Sequence, residues 1–175
     1  MKKIMDPLAV AGQILGVINK GVLLTTAADG RVNTMTISWG SIGVEWKRPI
    51  FIAYVRRSRY TKELLEKNGE FTVNIPVGDF DSRILGYCGS KSGRDVDKIE
   101  ALGLDLEEPL NISVPGIRQL PLTLECKVIY KQEQPLEGLP DDVIAHYYSD
   151  GDTHTAYYGQ IVGAYLITDE SRGRN

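Results

Sequence analysis

Cysteine and histidine are scarce in this chain, and their scarcity is the first thing that narrows its chemistry. Among 175 residues there are two cysteines, Cys88 and Cys126, and two histidines, His146 and His154. Two cysteines are too few for a disulfide framework, and none of the four residues stands at the spacing of a metal site, so no metal is expected. An excess of one charge is also lacking, with 20 basic residues against 23 acidic ones. A net charge of -3 gives no electrostatic footprint for nucleic acid or an anionic membrane. Long apolar runs are missing too. The opening MKKIMDPLAVAGQILGV is interrupted by Asp6 and Pro7, which makes it a poor signal peptide, and no stretch approaches a bilayer span. There is no repeat, no low-complexity segment and no linker that would divide the chain. The expectation is one domain over 1–175, in a reducing cytoplasm, with TDESRGRN as its only tail.

What is present is a succession of short strand-like segments: GVLLTTA (21–27), RVNTMTISW (31–39) and PIFIAYV (49–55), the first two joined by an Asp29-Gly30 hairpin turn. A helix is predicted from Tyr60 to Lys67, with Ser58 as N-cap and Asn68-Gly69 as its end, followed by the strand EFTVNIP. From Phe80 to Gly103 the signals turn helical and loop-like, with CGSKSGR as a polar loop and Asp95 capping a short helix that Gly103 ends. In LPLTLECKVIY the residues Leu120, Leu122, Leu124, Cys126, Val128 and Tyr130 alternate with outward positions, which places Cys126 in the core. THTAYYGQIVGAYLI reads as a last strand with Gly159 and Gly163 at bulges or close backbone approaches. Many short strands, one long excursion and no βαβ rhythm predict a mainly β fold, a small barrel with peripheral helices.

Three stretches carry the chemistry. In NTMTISWGSIG (33–43) the hydroxyls of Thr34, Thr36 and Ser38 share one face of a strand, opposite Met35 and Trp39, before Gly40 and Gly43. A row of buried hydroxyls needs polar partners, and a polar cofactor such as flavin mononucleotide (FMN) lying along the strand would supply them. In VRRSRYTKELL, Arg56, Arg57 and Arg59 bring positive charge beside Ser58 and Thr61 at a helix start, where free N–H groups and the dipole favour a phosphate. The competing reading is a plain Ser58 cap with a solvated arginine face. In YCGSKSGRDVDKI, Gly89, Ser90 and their neighbours can expose amides around an anion, with Lys91 and Arg94 adding charge, or can form a mobile polar loop.

Taken together, NTMTISWGSIG, RRSRYTKELLEKNGEFTVNIP, GYCGSKSGRDVDKI and HTAYYGQIVGAYL resemble, in order and spacing, the flavin reductase-like, FMN-binding split-barrel family, especially its flavoredoxin branch. The resemblance spans about Gly21 to Leu166. It implies a split β-barrel homodimer that binds FMN non-covalently near the subunit interface. It further implies that Thr34, Met35, Thr36, Ser38 and Trp39 lie along the ring and ribityl chain, that Ser58, Arg59 and Thr61 hold the phosphate, and that Cys88, Gly89, Ser90 and Lys91 close over the flavin. Trp39 equally suits core packing, Cys88 a buried inert thiol, and Tyr157-Tyr158 strand packing or a dimer contact. His154 falls where members of the family approach the cofactor, which makes it a candidate for substrate contact.

With flavin chemistry no side-chain acid, base or nucleophile is required, and no catalytic residue is expected. Two functions follow from the resemblance. One is an oxidoreductase passing hydride from NADH or NADPH through FMN to a free flavin or another acceptor. The other is a flavoredoxin-type carrier that exchanges electrons with a redox partner protein and has no pyridine-nucleotide site. A barrel without cofactor, acting only as a binding module, is disfavoured by the intact hydroxyl strand and arginine segment.

Overall fold

The computed structural model describes residues 1–168, and the remaining residues of the tail, 169–175, lie outside the described residues. Its frame is one antiparallel sheet of eight strands. β1 (Lys2–Ile4), α1 (Ala11–Val17) and a single 3-10 turn lead into the hairpin of β2 (Val22–Ala28) and β3 (Arg31–Ile37). Asp29 and Gly30 both have positive φ, 52° and 74°, as a tight hairpin of this kind requires. β4 (Gly40–Glu45) and β5 (Arg48–Arg56) form a second hairpin, followed by α2 (Tyr60–Asn68) and β6 (Glu70–Ile75). The excursion holds α3 (Arg83–Ser90), α4 (Lys98–Leu102) and a small ladder of β7 (Leu106–Glu107) with β8 (Gly116–Ile117). β9 (Leu122–Glu133), α5 (Asp141–Tyr147) and β10 (His154–Ile167) complete the chain.

Hydrogen bonding runs β3-β2-β6-β9-β10-β5-β4, with β1 added on β10. β3 and β4, consecutive in sequence, therefore lie at opposite ends of the path, and the sheet curls around a core without pairing them. That is the split of the barrel. The interior is filled by Val22, Leu24, Phe51, Val55, Phe71, Val73, Leu124, Cys126, Tyr157 and their neighbours. Cys126 is core, as its place in the alternation predicts. The outer face of β2, β6 and β9 is buried as well, under a second cluster of Leu23, Ile84, Leu85, Cys88, Leu104, Ile117 and Leu120 contributed largely by the excursion.

This double burial corrects the simple alternation. Thr123 and Glu125 are as buried as Leu124, because the loop between β7 and β8 covers them and Glu125 accepts from the amides of Leu110 (2.6 Å) and Asn111 (2.9 Å). Tyr130, read as inward, is exposed, since the end of β9 runs past the covered region and packs Tyr130 against Tyr158 and Trp46. Tyr157 is strand packing, its hydroxyl donating to Glu66 at 2.6 Å.

The helix boundaries differ in two caps. Arg59, with extended φ and ψ, occupies the N-cap position of α2, while Ser58 turns to Asp152, donating its hydroxyl at 2.6 Å and its amide at 3.1 Å. A carboxylate accepting two bonds outcompetes the helix's own amides for that serine. Asp97, not Asp95, caps α4 by accepting from the amides of Ile99 and Glu100. The ends are as predicted: Gly69 and Gly103 both adopt left-handed φ, 71° and 57°. No helix among the described residues is long and apolar enough to cross a membrane.

Gly159 and Gly163 both sit at register shifts between β9 and β10. A Cβ on Gly159 would lie 2.4 Å from the buried Phe71 ring and 2.9 Å from the Cys126 Cβ, whereas one on Gly43 would meet nothing within 4 Å. Gly159→Ala should therefore lose about 1–3 kcal/mol through overpacking, which at roughly 2–4 °C of Tm per kcal/mol is readily seen by thermal unfolding. Gly43→Ala should stay within about 0.5 kcal/mol of the wild type. Equal Tm values for the two variants would show that the Gly159 bulge is not a packing requirement.

Candidate functional site

A cleft opens at the seam where β3 ends and β4 begins. It has two adjoining lobes of about 260 and 160 Å³ that share Met35, Thr36 and Arg59. The strand break at 38–39 builds the first lobe: β3 stops at Ile37, and Ser38 and Trp39 turn outward before Gly40 re-enters the sheet. Gly40 is small for a packing reason, since a Cβ there would lie 2.8 Å from both the Ile18 and the Phe51 side chains. Gly40 thus serves the core, while Gly43 faces open space.

Tyr54 and Arg56 of β5 and His154 of β10 form the opposite wall of the first lobe. Trp39 remains 39% exposed, with its ring 5.1 Å from that of His154 and 5.0 Å from that of Tyr147. It is a cleft wall and not a core residue. His154 is 6% exposed, with Nδ1 3.0 Å from the Tyr148 hydroxyl. Burial first, then the like charges of Arg56 and Arg59, push its imidazole down to about 4, against a weaker opposing pull from Asp152. His154 is neutral at pH 7.

The second lobe lies between β3, the start of α2 and the end of α3. Ser58, Arg59, Tyr60 and Thr61 line one side and Cys88, Gly89, Lys91, Ser92, Gly93 and Lys98 the other. Gly93 makes the approach possible: a Cβ there would sit 2.1 Å from Asn33 Oδ1 and 2.8 Å from the Tyr60 ring. No side chain caps the first amides of α2, and among the described residues the Arg59 guanidinium forms no ion pair. Arg56, Arg57 and Arg94 are engaged elsewhere: Arg56 with the carbonyls of Asp152 and Tyr147, Arg57 with Glu133, and Arg94 with the Ser58 carbonyl and Glu63. Thr61 Oγ1 accepts from Asn33 at 2.8 Å.

Of the thirteen residues singled out from the sequence, Met35, Thr36, Ser38, Trp39, Ser58, Arg59, Thr61, Cys88, Gly89, Lys91 and His154 line this cleft. Thr34 and Ser90 do not. The Thr34 hydroxyl accepts from Thr25 at 3.0 Å in a buried network with Asn74, and Ser90 donates to the carbonyls of Gly86 and Tyr87. Thr36 likewise donates to the Leu85 carbonyl, at 2.6 Å. The hydroxyl row is therefore met within the protein, at Thr34 by β2 and at Thr36 by the excursion, and of the three only Ser38 has no hydroxyl partner among the described residues. Cys88 to Ser90, read as loop, form the last turn of α3, because Ile84, Leu85 and Cys88 give that segment one buried helical face. Burial raises the Cys88 thiol to about 11, so it is protonated and unreactive at neutral pH. Sequence reasoning missed Tyr54, Tyr60 and Lys98. The last was detectable as a lysine between Val96 and Ile99 at the start of the short helix KIEAL.

The cleft is a preformed, partly apolar slot ending in a cationic pocket with no carboxylate among its lining residues, suited to a flat polar ring that carries an anionic tail. Among the described residues no group of three His, Cys, Asp or Glu side chains is arranged to hold a metal ion.

Comparison with known proteins agrees with that geometry. A flavoredoxin from Methanosarcina acetivorans superposes with a TM-score of 0.65 at 28% identity, over 84% of this chain and 68% of that one. A flavoredoxin of Desulfovibrio vulgaris (Miyazaki F) gives 0.66 at 26% identity, over 89% and 72%. An uncharacterized protein of Archaeoglobus fulgidus is 31% identical over 101 residues, 58% of this chain and 56% of its own length. The chain spans little more than half the length of the curated relatives it matches. The family model described as flavin reductase like domain matches residues 15–174, nearly the whole chain, and the chain belongs to that family.

Proposed function

We propose that the protein is an FMN-dependent oxidoreductase that moves hydride or electrons between NADH or NADPH, FMN held in the seam cleft, and an acceptor. The observation that carries this reading is the pairing of the two lobes, a ring-sized slot walled by Met35, Trp39 and His154 and a cationic end at Arg59 and the start of α2. The donor set fits FMN: uncapped helix amides and unpaired cations suit a phosphate, and the unpaired edge of β3 offers backbone groups to a polar ring. Bound there, FMN supplies hydride and electron transfer at its ring N5. The chain's own residues bind and orient. Arg59 and the α2 amides hold the anionic end, and Trp39 and His154 flank the slot. Tyr148 fixes the His154 ring through Nδ1, and that ring, neutral at pH 7, adds no charge to the slot. No side chain acts as acid or nucleophile in this scheme.

The flavoredoxin-type carrier is the second reading, favoured by the two similar structures of that name and by the exposed aromatic rim of Trp39 and Tyr147, on which a redox partner could dock. An absorption spectrum of the FMN-loaded protein, followed by anaerobic addition of NADH and then NADPH, separates the two. Rapid bleaching by either nucleotide is the outcome expected of a reductase. Bleaching by dithionite alone would assign the carrier role, and failure to take up FMN would sink both.

Arg59→Ala should weaken FMN binding about tenfold, the value of one charge-assisted hydrogen bond at an exposed site, while leaving Tm unchanged. An unaltered affinity by flavin fluorescence titration would remove Arg59 from the phosphate site. The His154 ring sets a pH dependence whose sign is fixed. Its folded value near 4 lies below the usual 6.5, so the unfolded chain binds the extra proton first, and stability falls as pH drops from about 6.5 towards 4. The loss should reach about 3 kcal/mol and be absent in His154→Gln; identical acid unfolding curves for the two proteins would contradict it.

A further inference from the structure

Arg56, at the end of β5, spends its guanidinium on backbone. Its Nη1 donates to the Asp152 carbonyl at 2.7 Å and its Nη2 to the Tyr147 carbonyl at 2.8 Å, so one side chain grips both sides of the turn between α5 and β10. The turn is tight, with the Gly151 amide donating to the Tyr148 carbonyl at 2.9 Å, and the guanidinium also lies over the Tyr148 ring, 5.5 Å from its centre. The Asp150 carboxylate stands 3.8 Å away on a largely exposed side chain, and a pair of that kind adds little.

The two tyrosines that this turn carries brace the larger lobe. Tyr147 meets the Trp39 ring edge-on at 5.0 Å, and Tyr148, 4% exposed, sets its hydroxyl 3.0 Å from His154 Nδ1. Trp39 and His154 are walls of that lobe, and each is backed by one of the pair. From the side of α5 the turn receives little support. The helix buries none of its residues and no side chain caps its start, and among the described residues no side chain from 135 to 146 forms a hydrogen bond or ion pair with the barrel. On the other side Asp152 is held by Ser58. A segment so lightly attached opens locally at small cost, and the clamp at its end therefore decides where Tyr147 and Tyr148 stand.

We propose that Arg56 is the positioning residue of the larger lobe: by gripping the Tyr147 and Asp152 carbonyls it places the two braces, and through them Trp39 and His154, so that it governs binding of a ring and not of a phosphate. The proposal rests on the reading of this lobe as the ring site of a flavin. Only the planar fork of arginine reaches two carbonyls at once, so Arg56→Lys keeps the charge and loses the geometry.

The test uses the full chain in a Trp46→Phe background, which leaves Trp39 as the sole tryptophan. Arg56→Lys and Tyr147→Ala are made singly and together, and each protein is titrated with FMN and with riboflavin. Arg56→Lys should weaken both flavins by the same factor, about tenfold, the size of one charge-assisted hydrogen bond, and leave the preference for FMN over riboflavin unchanged. Without ligand, Trp39 emission should shift to the red and acrylamide should quench it more strongly, in Arg56→Lys as in Tyr147→Ala. The two substitutions together should cost less affinity than the sum of their separate effects, because one acts through the other. If Arg56→Lys does not fold, Tyr147→Ala decides alone, by weakening both flavins equally or leaving both unchanged. A loss confined to FMN would make Arg56 a phosphate ligand and overturn the proposal. Unchanged affinity for both flavins, or Trp39 emission unaltered in ligand-free Arg56→Lys, would overturn it as well. A parent protein that takes up neither flavin, with Trp39 emission that still responds to Arg56→Lys, would refute the flavin reading and uphold the clamp.

Discussion

The structure depends on a sheet that curls around a core without closing. β3 and β4 follow one another in the chain, yet they are the two ends of the hydrogen-bonded path, so neither can satisfy the other's outer edge. Unpaired strand edges invite association and have to be covered or put to use. Here the two residues between the strands, Ser38 and Trp39, turn out of the sheet and become the wall of a cleft. The walls opposite come from β5 and β10, which are mutual neighbours with His154 paired to Arg56. The site is thus a consequence of the topology: the seam brings the end of β3, the end of β5 and the start of β10 to one place, and the chain leaving β5 delivers the start of α2 to the same place.

The second constraint is that the sheet is covered on both faces where the excursion lies. Asn74 shows what that demands. Its amide donates to Thr25 and Thr72 while its carbonyl accepts from the Ile117 amide, so one side chain links three elements across a buried face. Such a face is polar without being a ligand surface, because the protein supplies its own partners. Thr34 shows the result, its hydroxyl held by Thr25 of the neighbouring strand, whereas Thr36 lines the cleft with its hydroxyl already given to Leu85. Period-two alternation states which residues share a face, but it does not state what covers that face, and at Thr36 the cover arrives from Leu85, 49 positions away.

Much else was legible for local reasons. The Asp29-Gly30 hairpin, the glycine stops of α2 and α4 and the two bulges of β10 each follow from a backbone conformation or a close contact that one residue type serves best. Cys126 followed from alternation in a strand whose inner face is uniformly apolar. The caps were less legible, since Ser58 and Asp95 are good cap residues that the tertiary structure did not use as caps: Asp152 took the serine, and Asp97, two residues after Asp95, caps the helix. Arg59 was legible as one of three arginines, but only the ion pairs and carbonyl contacts of Arg56 and Arg57 single it out as the one without an ion pair among the described residues.

The electrostatics of the cleft set the kind of chemistry it can host. Burial keeps the Cys88 thiol protonated and the His154 ring neutral, and the smaller lobe is lined by Arg59, Lys91, Arg94 and Lys98, of which Arg94 pairs with Glu63. A site of this composition offers a fixed positive field and hydrogen-bond donors, but no group poised to exchange a proton near pH 7. It can bind an anion and favour negative charge developing beside it, and it must leave bond-making to what it binds. The buried Lys98 ammonium, which donates to the Thr34 and Cys88 carbonyls, adds to that field. Recognition and reactivity are therefore separated in this fold, with recognition built into the seam and reactivity brought in by the ligand.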